Sequence, residues 1–368
     1  MELSHIHYES IKENALHGRY ITYEHISVLL GYLSNSFKVT EIGRSVNGLP
    51  IHSITFGHGM NKILMWSQMH GNESTTTKAI FDLLNVFGTD LELFPTILKN
   101  CTIKIIPMLN PDGAKAYTRL NANLVDLNRD AQDRSQPESK ILRNCFEDFN
   151  PDFCFNLHGQ RTIFNVGNTP KPATISFLAP AFDENRSISE SRAKSMRLIV
   201  AMDQVLQKLI PGQIGRYDDG FNANCVGDTF QMLNVPTILF EAGHYPKDYD
   251  REETRRFIFM AMVSALQTIS EKTLKSLDEK AYFNIPDNNK LFYDILIRNA
   301  HLIEPKKYKK GATIALLYKE VLQNGKIAFD PVVEKVGSLK DCFGHKTFDC
   351  SNESDFASLK SESFWNEL

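Results

Sequence analysis

Five short apolar runs constrain this chain more than any other feature. Ile51 to Phe56, Ile63 to Trp66, Cys101 to Met108, Phe153 to Leu157 and Thr237 to Phe240 are each bounded by glycine, proline or polar turn residues. Runs of this length with such flanks read as strands. Between them lie stretches with helical spacing. Thr76 to Phe87 places Ala79, Ile80, Leu83, Leu84 and Phe87 on one face, Met196 to Leu209 stops at Pro211-Gly212, and Glu252 to Ile269 is long and amphipathic. Strands that alternate with helices and read as buried on both faces imply an α/β sheet with helical layers.

The character changes near Leu274. Lys275 to Lys290 is polar and holds the turn signal Pro286-Asp287-Asn288-Asn289. Thr313 to Tyr318 and Ile327 to Asp330 follow as short apolar runs, with Gly311, Asn324-Gly325 and Gly337 around them. Asn-Gly between two apolar runs predicts a hairpin. The division expected is a main domain over 1–274, a small β-containing module over 285–350, and a polar, disordered tail over 351–368.

Composition excludes several classes of partner. The 368 residues carry a formal net charge of −3, which offers nothing to a polyanion, so no nucleic acid is expected. No apolar run is long enough to span a bilayer, so no membrane partner is expected either. Met1 to His7 shows neither a basic region nor an apolar core, and the six cysteines form no C-x-x-C pair. Reduced thiols and a cytoplasmic location are the resulting expectation.

Four polar stretches carry the chemistry. His70-Gly71-Asn72-Glu73 puts an imidazole and a carboxylate three positions apart, and His158 follows far downstream. Two nearby ligands and one distant ligand suit a catalytic zinc ion, because three protein ligands leave one position for water. Nitrogen, nitrogen and oxygen donors suit zinc without excluding manganese or cobalt. Either histidine alone reads as a satisfied core residue; the accompanying motifs decide otherwise. His70, Asn110, His158 and Glu241 each come just after a predicted strand, so one sheet rim can gather them.

Glu241 lies in the apolar run Ile238-Leu239-Phe240, where an ionised carboxylate needs a cation nearby. Its natural role is general base toward water and then proton donor to the leaving amine. Asn128-Arg129 offers an amide and a planar bidentate donor suited to a carboxylate. Arg119 could stabilise an oxyanion in the same cavity. Asp126 reads as the acceptor that orients a histidine ligand.

These motifs resemble the zinc metallocarboxypeptidases of the funnelin type, the carboxypeptidase A-like peptidases. The shared marks are the His70–Glu73 pair, Asn110-Pro111-Asp112-Gly113, Arg119 to Arg129, His158 and Glu241. Ile42 to Ile51 also looks like the family's lead-in to a second strand, so the likeness spans roughly residues 20 to 270. It implies a mixed central sheet with helices on both faces and one Zn2+ per chain on His70, Glu73 and His158. It implies that Arg119 polarises the scissile carbonyl, that Asn128 and Arg129 hold the substrate's terminal carboxylate, that Glu241 is the base, and that Asp126 braces the first histidine. Tyr217 is the candidate for the family's substrate-capping tyrosine, at a slightly long spacing. At the family's selectivity position stands Gly227, neither acid nor base; Arg161 to Asp183 could shape that pocket instead. An intracellular member of bacterial type, acting on peptides with a free C-terminal carboxylate, is the expectation.

Two other readings share parts of this pattern. Deacylases of the aspartoacylase and succinylglutamate desuccinylase group share the ligands and the Asp-Leu-Asn-Arg segment. Asn110 to Gly113, Arg119 with Asn121-Ala122, Phe240-Glu241-Ala242-Gly243, and Asn156 in place of that group's acid lean away from them. A non-catalytic peptide-binding protein would not need Glu241.

Overall fold

The computed structural model describes residues 7–88 and 94–368. Its frame is an eight-stranded sheet built from β1 (Lys38–Arg44), β2 (Pro50–Gly57), β3 (Asn61–Ser67), β4 (Cys101–Ile106), β5 (Phe153–Gly159), β7 (Ile175–Leu178), β8 (Ile214–Arg216) and β9 (Thr237–Ala242). The strand order is β1-β2-β4-β3-β5-β9-β7-β8. The four central strands, β4, β3, β5 and β9, run parallel, whereas β2 and β7 pair antiparallel to them. The sheet is therefore mixed. β6 (Asn165–Val166) stands outside it.

Central strands must be apolar on both sides, and β3 shows how the sequence achieves this. Ile63 and Met65 enter the larger core with α2 (Thr75–Gly88), α6 (Glu190–Leu206) and α8 (Glu252–Ser270); Leu64 and Trp66 enter a second core with α5 (Pro137–Phe149) and α7 (Val226–Met232). All four side chains are fully buried. The sheet is thus flanked by helices on both faces, with α1 (Tyr23–Leu33) and α3 (Pro95–Asn100) also on the larger core and the short α4 (Pro111–Ala116) near the rim. The helices expected over 76–87 and 252–269 are present almost residue for residue. No described helix is long and apolar enough to cross a membrane.

The C-terminal module is a second sheet of β11 (Phe292–Arg298), β12 (Thr313–Gln323), β13 (Lys326–Gly337) and β14 (Phe343–Asp349), in the order β13-β12-β11-β14. Asn324 and Gly325 join β12 to β13 with φ of 51° and 74°, the left-handed pair that a two-residue hairpin turn requires. The strands run to 11 and 12 residues, well beyond the apolar runs that announced them. The module is joined to the main sheet region by β10 (Asn288–Asn289), which pairs with β6. The connecting segment is not loose, since Tyr282 and Ile285 are buried in the larger core.

The tail differs from expectation. Residues 353–360 form α9 (Glu353–Lys360), and Leu359, Phe364 and Leu368 are buried in the module's own core beside Ile295, Ile297 and Phe348. Widely spaced apolar side chains in a polar stretch find partners on a sheet that would otherwise expose one face. The six cysteines are free thiols.

Candidate metal centre and active-site cleft

Three of the parallel strands deliver the central groups to one rim. β3 ends at Ser67, and Gln68 turns the chain with a φ of 45°. Its amide donates to the carbonyls of Ile21 and Gly71, and its Oε1 accepts from Thr77, so the strained turn is held from three sides. His70 and Glu73 follow. The Asn110 to Gly113 turn lies directly beneath them. A Cβ on Gly71 would sit 1.9 Å from the carbonyl carbon of Gly113, so only glycine allows this approach. Asn110 ties the two loops by donating to the Met69 carbonyl and accepting from the Gly113 N–H. On the adjacent strands, His158 of β5 and Glu241 of β9 are paired in register.

His70, Glu73 and His158 converge, with one donor atom of each within 4.8 Å of the others. Nδ1 of His70 lies 2.9 Å from one Glu73 oxygen, and Nδ1 of His158 lies 2.9 Å from the other. The two Nδ1 atoms are 3.0 Å apart. Nε2 of His70 faces Oδ1 of Asp126 at 3.1 Å, which fixes the ring's proton on that side and leaves Nδ1 as an acceptor. A lone pair this close to a carboxylate and a second imidazole nitrogen is favourable only around a cation or an extra proton. Ligand atoms on a tetrahedral zinc with bonds of about 2.0–2.1 Å sit roughly 3.3 Å from one another. The donor set and its spacing fit such an ion.

The electrostatics are those of a concentrated charge cluster. Burial raises the Glu73 carboxyl, but the two imidazoles outweigh it and hold the group well below the usual carboxylate range. Asp126 is held low in the same way, by His70 and then Arg119. Glu241 goes in the opposite direction. Burial, with the Glu73 charge adding to it, pushes its carboxyl well above the ordinary value, and its buried Oε2 has no hydrogen-bond partner among the described residues. Arg119 donates from Nε to Asp126 at 3.0 Å and stands 3.6 Å from Glu73.

The Asn128-Arg129 pair comes from a short 3-10 turn that Asp126 caps by accepting the Asn128 N–H. Asn128 Oδ1 in turn accepts from the Val226 N–H at the start of α7. The Arg129 guanidinium makes one hydrogen bond among the described residues, to the Asn128 carbonyl, and otherwise faces the cleft. Tyr217 is anchored by its N–H, which donates to the Phe177 carbonyl, and its ring lies against Phe164. Burial, then the Glu241 charge, raises its phenol. Beside the pair, burial pushes the Asp228 carboxyl up to about 6.

The cleft has a volume of about 580 Å3, in the range of small-ligand sites. His70, Glu73, Arg119, Asn128, Arg129, His158, Tyr217 and Glu241 all line it, and Asp126 stands behind His70. Sequence reasoning missed one whole side. Lys290, Asp294, Tyr318, Glu320 and Phe329 of the C-terminal module also line it, with Arg19 from the N-terminal segment. No local pattern marked them.

A family profile described as zinc carboxypeptidase matches residues 23–226, more than half of the chain. The chain belongs to the zinc carboxypeptidase family. The chain is 30% identical over 181 residues to carboxypeptidase SOL1 of Arabidopsis thaliana, covering 44% of this chain and 37% of that protein. It is 32% identical over 117 residues to gamma-D-glutamyl-L-diamino acid endopeptidase 1 of Lysinibacillus sphaericus, covering 28% of this chain and 30% of that one. The aligned parts thus span about a third of the curated relatives' lengths. Among solved structures, a metallo-carboxypeptidase from Burkholderia cenocepacia superposes with a TM-score of 0.55 at 18% identity, over 69% of this chain and 70% of that one. One from Pseudomonas aeruginosa gives 0.54 at 16% identity, with the same coverage. The zinc carboxypeptidase fold therefore extends past the family match to about two thirds of the chain.

Proposed function

We propose that this zinc carboxypeptidase family member removes the C-terminal residue of peptides with a free carboxylate. The observation that carries the reading is the cleft itself, where the Arg129 guanidinium, with one hydrogen bond among the described residues, the buried Glu241 carboxyl, whose Oε2 has no partner among them, and the His70–Glu73–His158 donors face one cavity. Arg129 and the Asn128 amide bind and orient the terminal carboxylate. Arg119, already beside Glu73, pairs with the scissile carbonyl oxygen as negative charge develops there. Glu241 takes a proton from the water as its oxygen bonds to the carbonyl carbon, and passes that proton to the leaving nitrogen as the oxyanion collapses and the C–N bond breaks. Its buried Oε2, without a hydrogen-bond partner among the described residues, is free to hold that proton between the two steps. A bound zinc ion supplies Lewis-acid polarisation and a more acidic water. Asp126 keeps His70 in the orientation that this ion needs. Tyr217 covers the bound end of the substrate, and residues 1–274 form the catalytic domain to which the module is appended.

The test is incubation of zinc-loaded protein with a mixed free-acid peptide library, read by mass spectrometry. Loss of single C-terminal residues, abolished by a chelator and restored by zinc, is the expected result. Internal cleavage, including at γ-glutamyl bonds, or turnover of N-acyl amino acids alone would replace this reading with an endopeptidase or a deacylase.

A further inference from the structure

The hairpin of β12 and β13 belongs to the C-terminal module, yet it is braced on the loops that carry the metal-site donors. Asp294 accepts the Tyr318 N–H at 2.8 Å and the Thr162 hydroxyl at 3.2 Å, four residues past His158. Two positions along the same strand, Glu320 accepts from the Tyr117 hydroxyl at 2.5 Å, and Tyr117 precedes Arg119 by two. Glu320 also pairs with Arg19 at 2.9 Å, and the Arg19 carbonyl accepts from Ser74, the neighbour of Glu73. One strand therefore bridges the His158 side of the cleft to the Arg119 side.

Three rings close the space under this bridge. Tyr249 lies 5.1 Å from Tyr318 and 5.3 Å from Phe329, centroid to centroid, and Tyr318 and Phe329 are 6.0 Å apart. All three line the cleft. The helix that follows Tyr249 packs on the opposite face of the sheet from the elements that flank the Asn128-Arg129 pair. Tyr249 leads into α8 on the larger core, whereas Leu127 and Val226, which flank Asn128, belong to the core with α5 and α7.

We infer that this hairpin is a length-limiting wall for the substrate residues N-terminal to the cleaved bond, making short peptides preferred over long chains with the same C-terminal residue. The inference rests on the carboxypeptidase reading, which fixes the carboxylate at Arg129 and the scissile bond at the metal-site donors. The rest of the peptide must then leave on the far side, toward Tyr318 and Phe329. A braced wall cannot swing aside without breaking the Glu320 and Asp294 ties, so each residue that collides with it weakens the transition-state complex rather than only slowing entry.

The experiment is a ladder of free-acid peptides from dipeptide to octapeptide with a common C-terminal residue, measured as kcat/KM on the zinc-loaded full chain. Wild type is expected to lose about tenfold or more across the ladder. Phe329→Ala should flatten the ratio of long to short substrates, and Phe329→Trp should steepen it, with thermal unfolding confirming that both variants fold. Equal kcat/KM along the ladder in wild type, or a ratio unmoved by both variants, would overturn the wall while leaving the carboxypeptidase reading intact. No C-terminal trimming at any length by zinc-loaded protein would overturn both.

Discussion

Nε2 of His70 faces Oδ1 of Asp126 at 3.1 Å, while the other Asp126 oxygen accepts from Arg119 at 3.0 Å. One carboxylate thus fixes the tautomer of a metal-site histidine and the position of the arginine beside it. Removing such an orienting partner typically costs 10–100-fold in metal affinity. Asp126→Ala is expected to loosen zinc by about that factor, read by competition with a chromophoric chelator. The same variant loses the cap on the Leu127–Arg129 turn, about 1 kcal/mol, so its melting temperature should fall only modestly. Unchanged zinc affinity would show that Asp126 braces Arg119 alone.

Under the proposed function, Glu241 should separate metal binding from turnover. It is paired in register with His158 across β5 and β9 but is not among the converging donors. Glu241→Gln keeps the shape and removes the proposed base. Zinc content should stay at the wild-type level while kcat falls by about 10²–10⁴-fold, the usual worth of a positioned acid–base group. Metal analysis and peptide turnover on one preparation check both halves.

The proposed partner of Arg129 is a substrate carboxylate. A charge-assisted hydrogen bond to a carboxylate contributes roughly 1.5–3 kcal/mol. Arg129→Ala is therefore expected to lower kcat/KM for free-acid peptides by about 10–100-fold and to change little for C-terminally amidated ones. Equal losses on both would remove the carboxylate-binding role.

The legible parts of this protein are those whose signal is local. β3, β5 and β9 announce themselves as short apolar runs, and each is followed or ended by a polar residue with chemistry of its own, so one rim could be foreseen. The Asn110 to Gly113 turn was visible as a motif, but its purpose was not. That Gly71 must have no Cβ because Gly113 lies against it appears only in three dimensions. The pairing of Tyr117 with Glu320 joins positions 203 residues apart and leaves no trace in either neighbourhood. The order of the tail is not legible in its sequence, because Leu359, Phe364 and Leu368 are too sparse to show periodicity, although each is buried once the module sheet is present. β7 and β8 are short, and their place beyond β9 is set by pairing rather than by composition.

Stability should depend on pH through Glu252, away from the cleft. Its carboxylate meets Lys78 at 2.5 Å, Lys12 at 2.9 Å and Arg255 at 3.2 Å. Burial pushes the carboxyl up, but Lys78 and the other cations outweigh it and bring the pKa down from 4.5 to about 2. Lys78 shows the opposite balance. Its burial wins over Glu252 and lowers the ammonium to about 8. The two shifts disagree about the worth of the pair, and the carboxylate's is the relevant one in acid, because Lys78 is protonated in both folded and unfolded chains there. A carboxyl with a depressed folded pKa contributes stability that is present above its unfolded value and lost as pH falls through the folded one. The window is therefore about pH 4.5 down to 2, and the full contribution is roughly 3 kcal/mol at most. Glu252→Gln should lower the melting temperature at pH 6 and make the wild-type and variant curves converge toward pH 2. Parallel curves over that range would show that the Glu252 cluster does not govern acid stability.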